Sequence, residues 1–188
     1  MGRRTVNYLE RGLGLIAAIS LGYWGMTGFE ATRYQARTER ALDLAMTTPA
    51  PAAKPPEPRD WLGRLEIPRF DFSTIVLEGD DEATLKLGVG HVPGTAIPGQ
   101  PGNAALAGHR DTFFRSLRGI RVGDEIRWTS PEYSGGYRVE STRIVSPSET
   151  DVLKPTDSAT LTLITCYPFN FIGPAPQRFI VRARHVPN

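Results

Sequence analysis

With a single cysteine, Cys166, the chain has no second thiol to pair with, so no disulfide within it holds the fold together. Three histidines, far apart from one another and from that cysteine, lack the spacing of a transition-metal site. Charge is scarce in net terms. A formal balance of +2 over 188 residues is too small to argue for a nucleic-acid partner, and no basic run is interleaved with stacking aromatics. Glycines are present, but none form a phosphate-cradling motif; they punctuate turns. No internal repeat occurs. These absences remove metalloenzymes, nucleotide-binding enzymes, nucleic-acid binders and disulfide-stapled miniproteins. They leave a packed domain with an appendage, for which the length and the ordinary apolar fraction suffice.

The N-terminal segment "GLGLIAAISLGYWGMTGF", residues 12–29, is uncharged. As a helix it extends roughly 27 Å, near the hydrocarbon thickness of a bilayer. Tyr23 and Trp24 fall toward its distal end, where aromatic rings favour the interface. Gly25-Met26-Thr27-Gly28 is a poor cleavage site, so an uncleaved transmembrane anchor is expected rather than a signal peptide, with residues 1–11 as a short cytoplasmic tail. Arg3, Arg4 and Arg11 before the span are matched by Arg33, Arg37 and Arg40 after it, so positive charge alone does not orient it. Residues 30–46 read as a solvated juxtamembrane helical stalk, and the Pro/Ala-rich 47–60 as a semi-rigid linker.

From Trp61 to the C-terminus, seven segments of strand length alternate or run apolar: "WLGRLEIPRF", "FSTIVLEG", "GNAALAGH", "DEIRWTS", "GGYRVESTRIV", "ATLTLITC" and "RFIVRARHV". Turn residues separate them. A short helix is expected in "DDEATLKLG", opened by acids and closed by Gly88. An all-β domain over residues 61–188, a closed barrel or a sandwich, follows from that strand density.

Cys166 ends one of these strands and faces a turn-rich loop, a place where a reactive group is both positioned and exposed. A buried, inert cysteine is the ordinary alternative. A thiol is only a few per cent thiolate at neutral pH, so a nucleophile there needs an imidazole or guanidinium nearby. His109 ends the apolar run "NAALAGH" at another strand end and is the best candidate for proton transfer. His185 lies near the C-terminus and reads as solvated; His91, between turn signals, reads as a loop residue or a support for the site. Arg178 opens the strand 12 residues after Cys166, and a loop of that length folds back to bring the two together. Its donors then suit an oxyanion or a substrate carbonyl. On spacing alone, a surface arginine on an edge strand is the better fit.

Three segments, "AALAGHRDTFFRSL" (104–117), "TLITCYPF" (162–169) and "APQRFIV" (175–181), in this order, resemble the signature segments of sortases. "HVPGTAIPGQPGN" (91–103) resembles the segment preceding that family's histidine. The likeness covers roughly Trp61 to Val186 and fits the class D branch best. The family's TLxTC pattern is met in full by Thr162, Leu163, Ile164, Thr165 and Cys166. The resemblance implies a closed eight-stranded β-barrel with short helices and a membrane-anchored cysteine transpeptidase acting on an LPxTG-like sorting signal of a secreted protein. It further implies Cys166 as nucleophile, His109 as proton donor and acceptor, and Arg178 as oxyanion support. The partners it implies are the substrate protein, an amine acceptor (a peptidoglycan precursor or another protein) and the lipid bilayer. Because donor and acceptor lie outside the cytosol, the same function orients the domain extracytoplasmically. A neutral thiol–imidazole pair and a thiolate–imidazolium pair are both compatible with these residues.

Thr165, beside the nucleophile, is a candidate to contact substrate or order the arginine. Phe169, Phe171 and Ile172 are candidates for an apolar substrate residue, with core packing as their alternative, and Pro168 to Pro176 is the expected wall of the groove. Some sortases bind calcium, and four carboxylates crowd positions 78–82; a helix N-terminus accounts for them, so no metal and no cofactor are expected. "PRDW" (58–61) does not match the lid motif of pilin-type sortases, which predicts an uncovered site. Two other functions fit less well. A cysteine transpeptidase that crosslinks peptidoglycan keeps its His and Cys in one short motif, whereas 57 positions separate His109 from Cys166 here. A membrane-tethered module that captures peptide without turnover would not need all three groups.

Overall fold

The computed structural model describes residues 14, 29–47 and 56–187. The expected tail, nearly all of the apolar run 12–29 and most of the linker lie outside the described residues. Among the described residues no helix is long and apolar enough to cross a membrane.

Eight strands close into a barrel in the order β1-β2-β3-β4-β7-β8-β6-β5. They are β1 (Trp61–Ile67), β2 (Phe72–Glu78), β3 (Val89–His91), β4 (Asn103–Ala107), β5 (Glu125–Thr129), β6 (Ser134–Val145), β7 (Thr160–Tyr167) and β8 (Gln177–Val186). Pairing is antiparallel except for β2 with β3 and β4 with β7. The first parallel pair is bridged by a short helix, α2 (Glu82–Leu87), which follows α1, the helix over residues 29–45. Seven strands coincide with the alternating segments of the sequence. The eighth, β3, has three residues and falls in a stretch that reads as turns.

Alternation sorts each strand into an inside and an outside. On β7, Leu161 and Leu163 point into the core; on β5, Ile126 and Trp128 do the same. Each such side chain removed from water contributes about 1.5–3 kcal/mol before entropy is counted. Gly63 is required by the core's largest member: a Cβ there would meet the Trp128 ring at 2.5 Å and the Thr129 carbonyl at 2.6 Å.

Three readings need correction. Helix α1 is not a solvated stalk; it docks on β2. Leu42 is 0 % exposed and packs with Ile75 and Leu77, while Arg64 on β1 pairs with Glu39 and Asp43. The decisive side chain is Gln35. β3 pairs with β2 only from Val76 onward, so the backbone of Ile75 lacks a strand neighbour on that side. Gln35 takes that place: its Oε1 accepts from the Ile75 amide at 2.7 Å, and its Nε2 donates to the Leu87 carbonyl at 2.8 Å. A buried sheet edge must be paired, and a side-chain amide pairs it here. Second, of the two readings of His91 the loop one fails: it is a buried residue of β3, 2 % exposed, with Nδ1 2.8 Å from Glu78 Oε2 and Nε2 2.9 Å from the Ala96 carbonyl. Third, His185 is not simply solvated but packs against Tyr133 and Tyr137, edge-on to the latter at 5.7 Å between centroids.

The acidic run opens α2. Asp81 is its N-cap, accepting from the Ala83 amide at 2.9 Å and the Thr84 amide at 3.2 Å. The Thr84 hydroxyl, then the Thr84 and Ala83 amides, hold the Asp81 carboxyl below its ordinary value.

Candidate active site

Cys166 and Arg178 are register partners across the antiparallel β7–β8 ladder, so their side chains leave the same face of the barrel wall. Cys166 is partly exposed and free. His109 arrives from the neighbouring strand. β4 pairs with β7 up to Ala107 and Ile164; just beyond, the Gly108 amide donates to the Ile164 carbonyl at 3.1 Å. The Gly108 carbonyl accepts from the Thr165 hydroxyl at 2.7 Å. Both polar groups of Gly108 are thus tied to the strand that carries Cys166, one residue before the imidazole. No side chain is tolerated at Gly108, because a Cβ would lie 2.8 Å from the fully buried Phe114 ring. The Phe114 amide closes the turn on the His109 carbonyl at 2.9 Å.

Cys166, His109 and Arg178 line one hollow of about 430 Å³. Its floor includes Ile164 and Ile180, the outward neighbours of Cys166 and Arg178 on their strands. Its walls are α2 with the residues before it (Asp80, Glu82, Leu85) and the β6–β7 connection from Ser146 to Leu153. The expected wall, residues 168–176, does not contribute. Phe169 is turned inward, packed edge-on against Tyr167 and Phe179 at 5.9 and 5.4 Å, which is the core role left open for it. Phe171 and Ile172 are exposed, Ile172 at 97 %, and neither lines the hollow. Thr165 is 2 % exposed and faces the opposite side of β7 from Cys166, as period-2 alternation requires. It nonetheless borders the hollow, and its hydroxyl donates to the Gly108 carbonyl, which fixes the segment carrying His109.

The loop after Cys166 is gripped by arginines, two of which the sequence reading passed over. Arg110 Nη2 donates to the Phe171 and Gly173 carbonyls at 2.7 and 3.0 Å. Arg118 Nη1 donates to Asn170 Oδ1 at 3.3 Å. From the other side Arg178 Nη1 donates to the Ala175 and Gln177 carbonyls at 3.2 and 3.0 Å. Among the described residues Arg178 makes these bonds through Nη1 alone, so Nη2 and Nε remain for other acceptors. The loop therefore links the segment after His109 to Arg178. Spacing gives no signal for the grip of Arg110, whose acceptors are main-chain carbonyls about sixty residues away; only the adjacency of an arginine to the histidine hinted at it.

A nucleophilic sulfur, a proton-transfer group and a fixed cation around an open hollow are the parts of acyl transfer. Comparison with known proteins agrees. The profile of the Sortase domain family matches residues 65–186. Sortase D of Bacillus subtilis (strain 168) is 35 % identical over 132 residues, an alignment covering 70 % of this chain and 67 % of that one. The solved Clostridium perfringens Sortase D5 transpeptidase superposes with a TM-score of 0.70 at 26 % identity, covering 84 % of this chain and 99 % of that one. Sortase A from Corynebacterium diphtheriae superposes with a TM-score of 0.64 at 31 % identity, over 69 % and 62 % of the two chains. The chain belongs to the sortase family of transpeptidases.

Proposed function

We propose that this transpeptidase, of the class D type, cleaves an LPxTG-like sorting signal near the C-terminus of a secreted protein and transfers that protein to an amine. The thiolate of Cys166 attacks the threonine carbonyl, forming a carbon–sulfur bond and an oxyanion that the free donors of Arg178 stabilise. Collapse breaks the peptide bond, and His109 gives its proton to the departing amine. The thioester is resolved when an incoming amine, deprotonated by His109, attacks the same carbon and expels the sulfur. The acceptor is a peptidoglycan precursor or another protein. Residues 12–29 anchor the chain in the cytoplasmic membrane as a single span, and the barrel works on the extracytoplasmic side, where donor and acceptor are found.

One observation carries this reading: the register match of Cys166 and Arg178 above a hollow that His109 also lines. It is tested by incubating the full-length chain with a library of LPxTG-like peptides and amine acceptors, then measuring intact mass. A mass increase equal to the acyl fragment on Cys166, discharged by amine, is the expected outcome. Peptide binding with no thioester for any peptide would leave a capture module instead.

A further inference from the structure

The active-site hollow does not end at Arg178. A second, smaller hollow of about 60 Å³ lies next to it on the outer face of β6, β7 and β8, and Val152 and Ile180 line both. The strand register defines its floor. One rung of the outer face is Val145, Arg178 and Cys166; the next is Arg143, Ile180 and Ile164; the third is Ser141, Arg182 and Thr162. Rungs on one face are two residues apart, so Arg182 lies about 13 Å along the wall from Cys166. An extended peptide covers that distance in about four residues.

The shared wall is built, not incidental. Asn103 Nδ2 donates to the Val152 and Lys154 carbonyls at 2.8 and 3.1 Å, and Asn103 Oδ1 accepts from the buried Thr162 hydroxyl at 2.6 Å. The cations beneath it are under-compensated. Farther down the same face, Arg184 is paired with Glu140 at 3.2 Å. Arg143 meets Glu149 only at 3.9 Å, and the other carboxylate oxygen of Glu149 is bonded to the Ser146 amide. The side chain of Arg182, partly buried, has no hydrogen bond or ion pair among the described residues.

We propose that this second hollow is a subsite for a carboxylate side chain of the donor polypeptide, about five residues from the bond that is cleaved, held by Arg182 and Arg143. It presupposes Cys166 as the acylated residue and adds a charge preference outside the sorting signal. Guanidinium groups suit a carboxylate by geometry as well as charge.

The test separates binding from turnover. LPxTG-like fluorescent peptides carry a single Glu, Gln or Lys five residues from the cleaved bond, on its N-terminal side in one series and its C-terminal side in the other. Binding is measured by anisotropy on full-length Cys166→Ala, and acylation by intact mass on the unmodified chain. In one series the Glu peptide binds about threefold to fivefold more tightly than the Gln peptide at low salt, and the Lys peptide more weakly. The difference shrinks as salt is added. Arg182→Glu in the Cys166→Ala background reverses the order, and the milder Arg182→Gln and Arg143→Gln each flatten it. Equal binding of the three peptides in both series, or the same preference after Arg182→Glu, overturns the subsite. So does a charge effect seen only when the acyl-enzyme is resolved by amine, which would assign the cations to the acceptor. If no peptide acylates Cys166, the transpeptidase reading fails, while the binding series still answers for the subsite.

Discussion

On the β1–β2 side of the barrel, α1 covers a sheet edge and leaves nothing open: Leu42 is sealed in, and Gln35 pairs with backbone groups that β3 does not reach. On the β7–β8 side, arginines hold a loop by its main-chain carbonyls, and Cys166 stays in contact with solvent. Both regions add chain to the same closed wall, yet one addition buries groups and the other keeps them reachable. Burial stabilises, while a site that must admit a peptide forgoes it and depends on hydrogen bonds to keep its shape. Substitutions on the second side should therefore cost turnover with little loss of stability, and substitutions on the first side should do the reverse.

The largest effect is expected at the sulfur. Cys166→Ala should abolish acyl-enzyme formation, read as the absence of any mass increase with a peptide that acylates the unmodified chain. His109→Ala removes the proposed proton-transfer group and should lower kcat/KM by about 10² to 10⁴. Arg178→Ala should lower it by about 10² to 10³, the usual loss of an oxyanion donor. Near-normal kcat in Arg178→Ala would take the arginine out of the chemistry. All three variants should melt close to the parent chain.

Arg110 sharpens the contrast, since it touches no reacting atom and acts through the loop. Arg110→Ala frees the Phe171 and Gly173 carbonyls to water and should cost about tenfold in kcat/KM, mostly in kcat, because the groups it displaces are the proposed catalytic ones. Amide hydrogen exchange over residues 170–173 should quicken in parallel. Arg110→Lys, which supplies one donor to the same carbonyls, should recover part of the rate. An unchanged rate with a loosened loop would show that the loop does not set the site.

How these features reach the sequence differs as the two sides do. Seven strands were legible because alternation is local, whereas β3 has three residues and becomes a strand through its neighbours, Val76 to Glu78 on one side and Leu106 and Ala107 on the other. That Cys166, His109 and Arg178 share one hollow was legible because each lies at or near a strand end inside a recognisable segment. Thr165, which the same alternation turns inward while Cys166 points outward, still borders the hollow, but its bond to the Gly108 carbonyl was not legible. The grip of Arg110 was not legible, since a carbonyl has no signature in sequence. Nor was the docking of α1. Its buried stripe is Tyr34, Thr38 and Leu42, four residues apart, and only Leu42 is both aliphatic and fully buried. Amid many charges that stripe is too thin to stand out.

On the sealed side, Leu42→Ala should weaken helix docking by about 2–5 kcal/mol, the range for emptying a buried leucine site. Hydrogen exchange in residues 30–45 should then accelerate while the barrel strands stay protected and kcat/KM changes less than twofold. Parallel loss of turnover would erase the distinction between the two sides.

Gln35→Ala is the smallest of these changes, and it separates packing from polar satisfaction. The substitution removes little apolar contact, yet it leaves the Ile75 amide and the Leu87 carbonyl without the partners they have now. An unsatisfied buried group costs about 1–3 kcal/mol. Gln35→Glu offers a tighter discrimination, because a carboxylate still accepts from the Ile75 amide but has no donor for Leu87. If the sheet edge is the reason for this residue, the Ile75 amide should exchange quickly in Gln35→Ala and slowly in Gln35→Glu. Equal exchange in both would mean that Leu42 and the Arg64 ion pairs hold α1 in place and that the amide merely fills space.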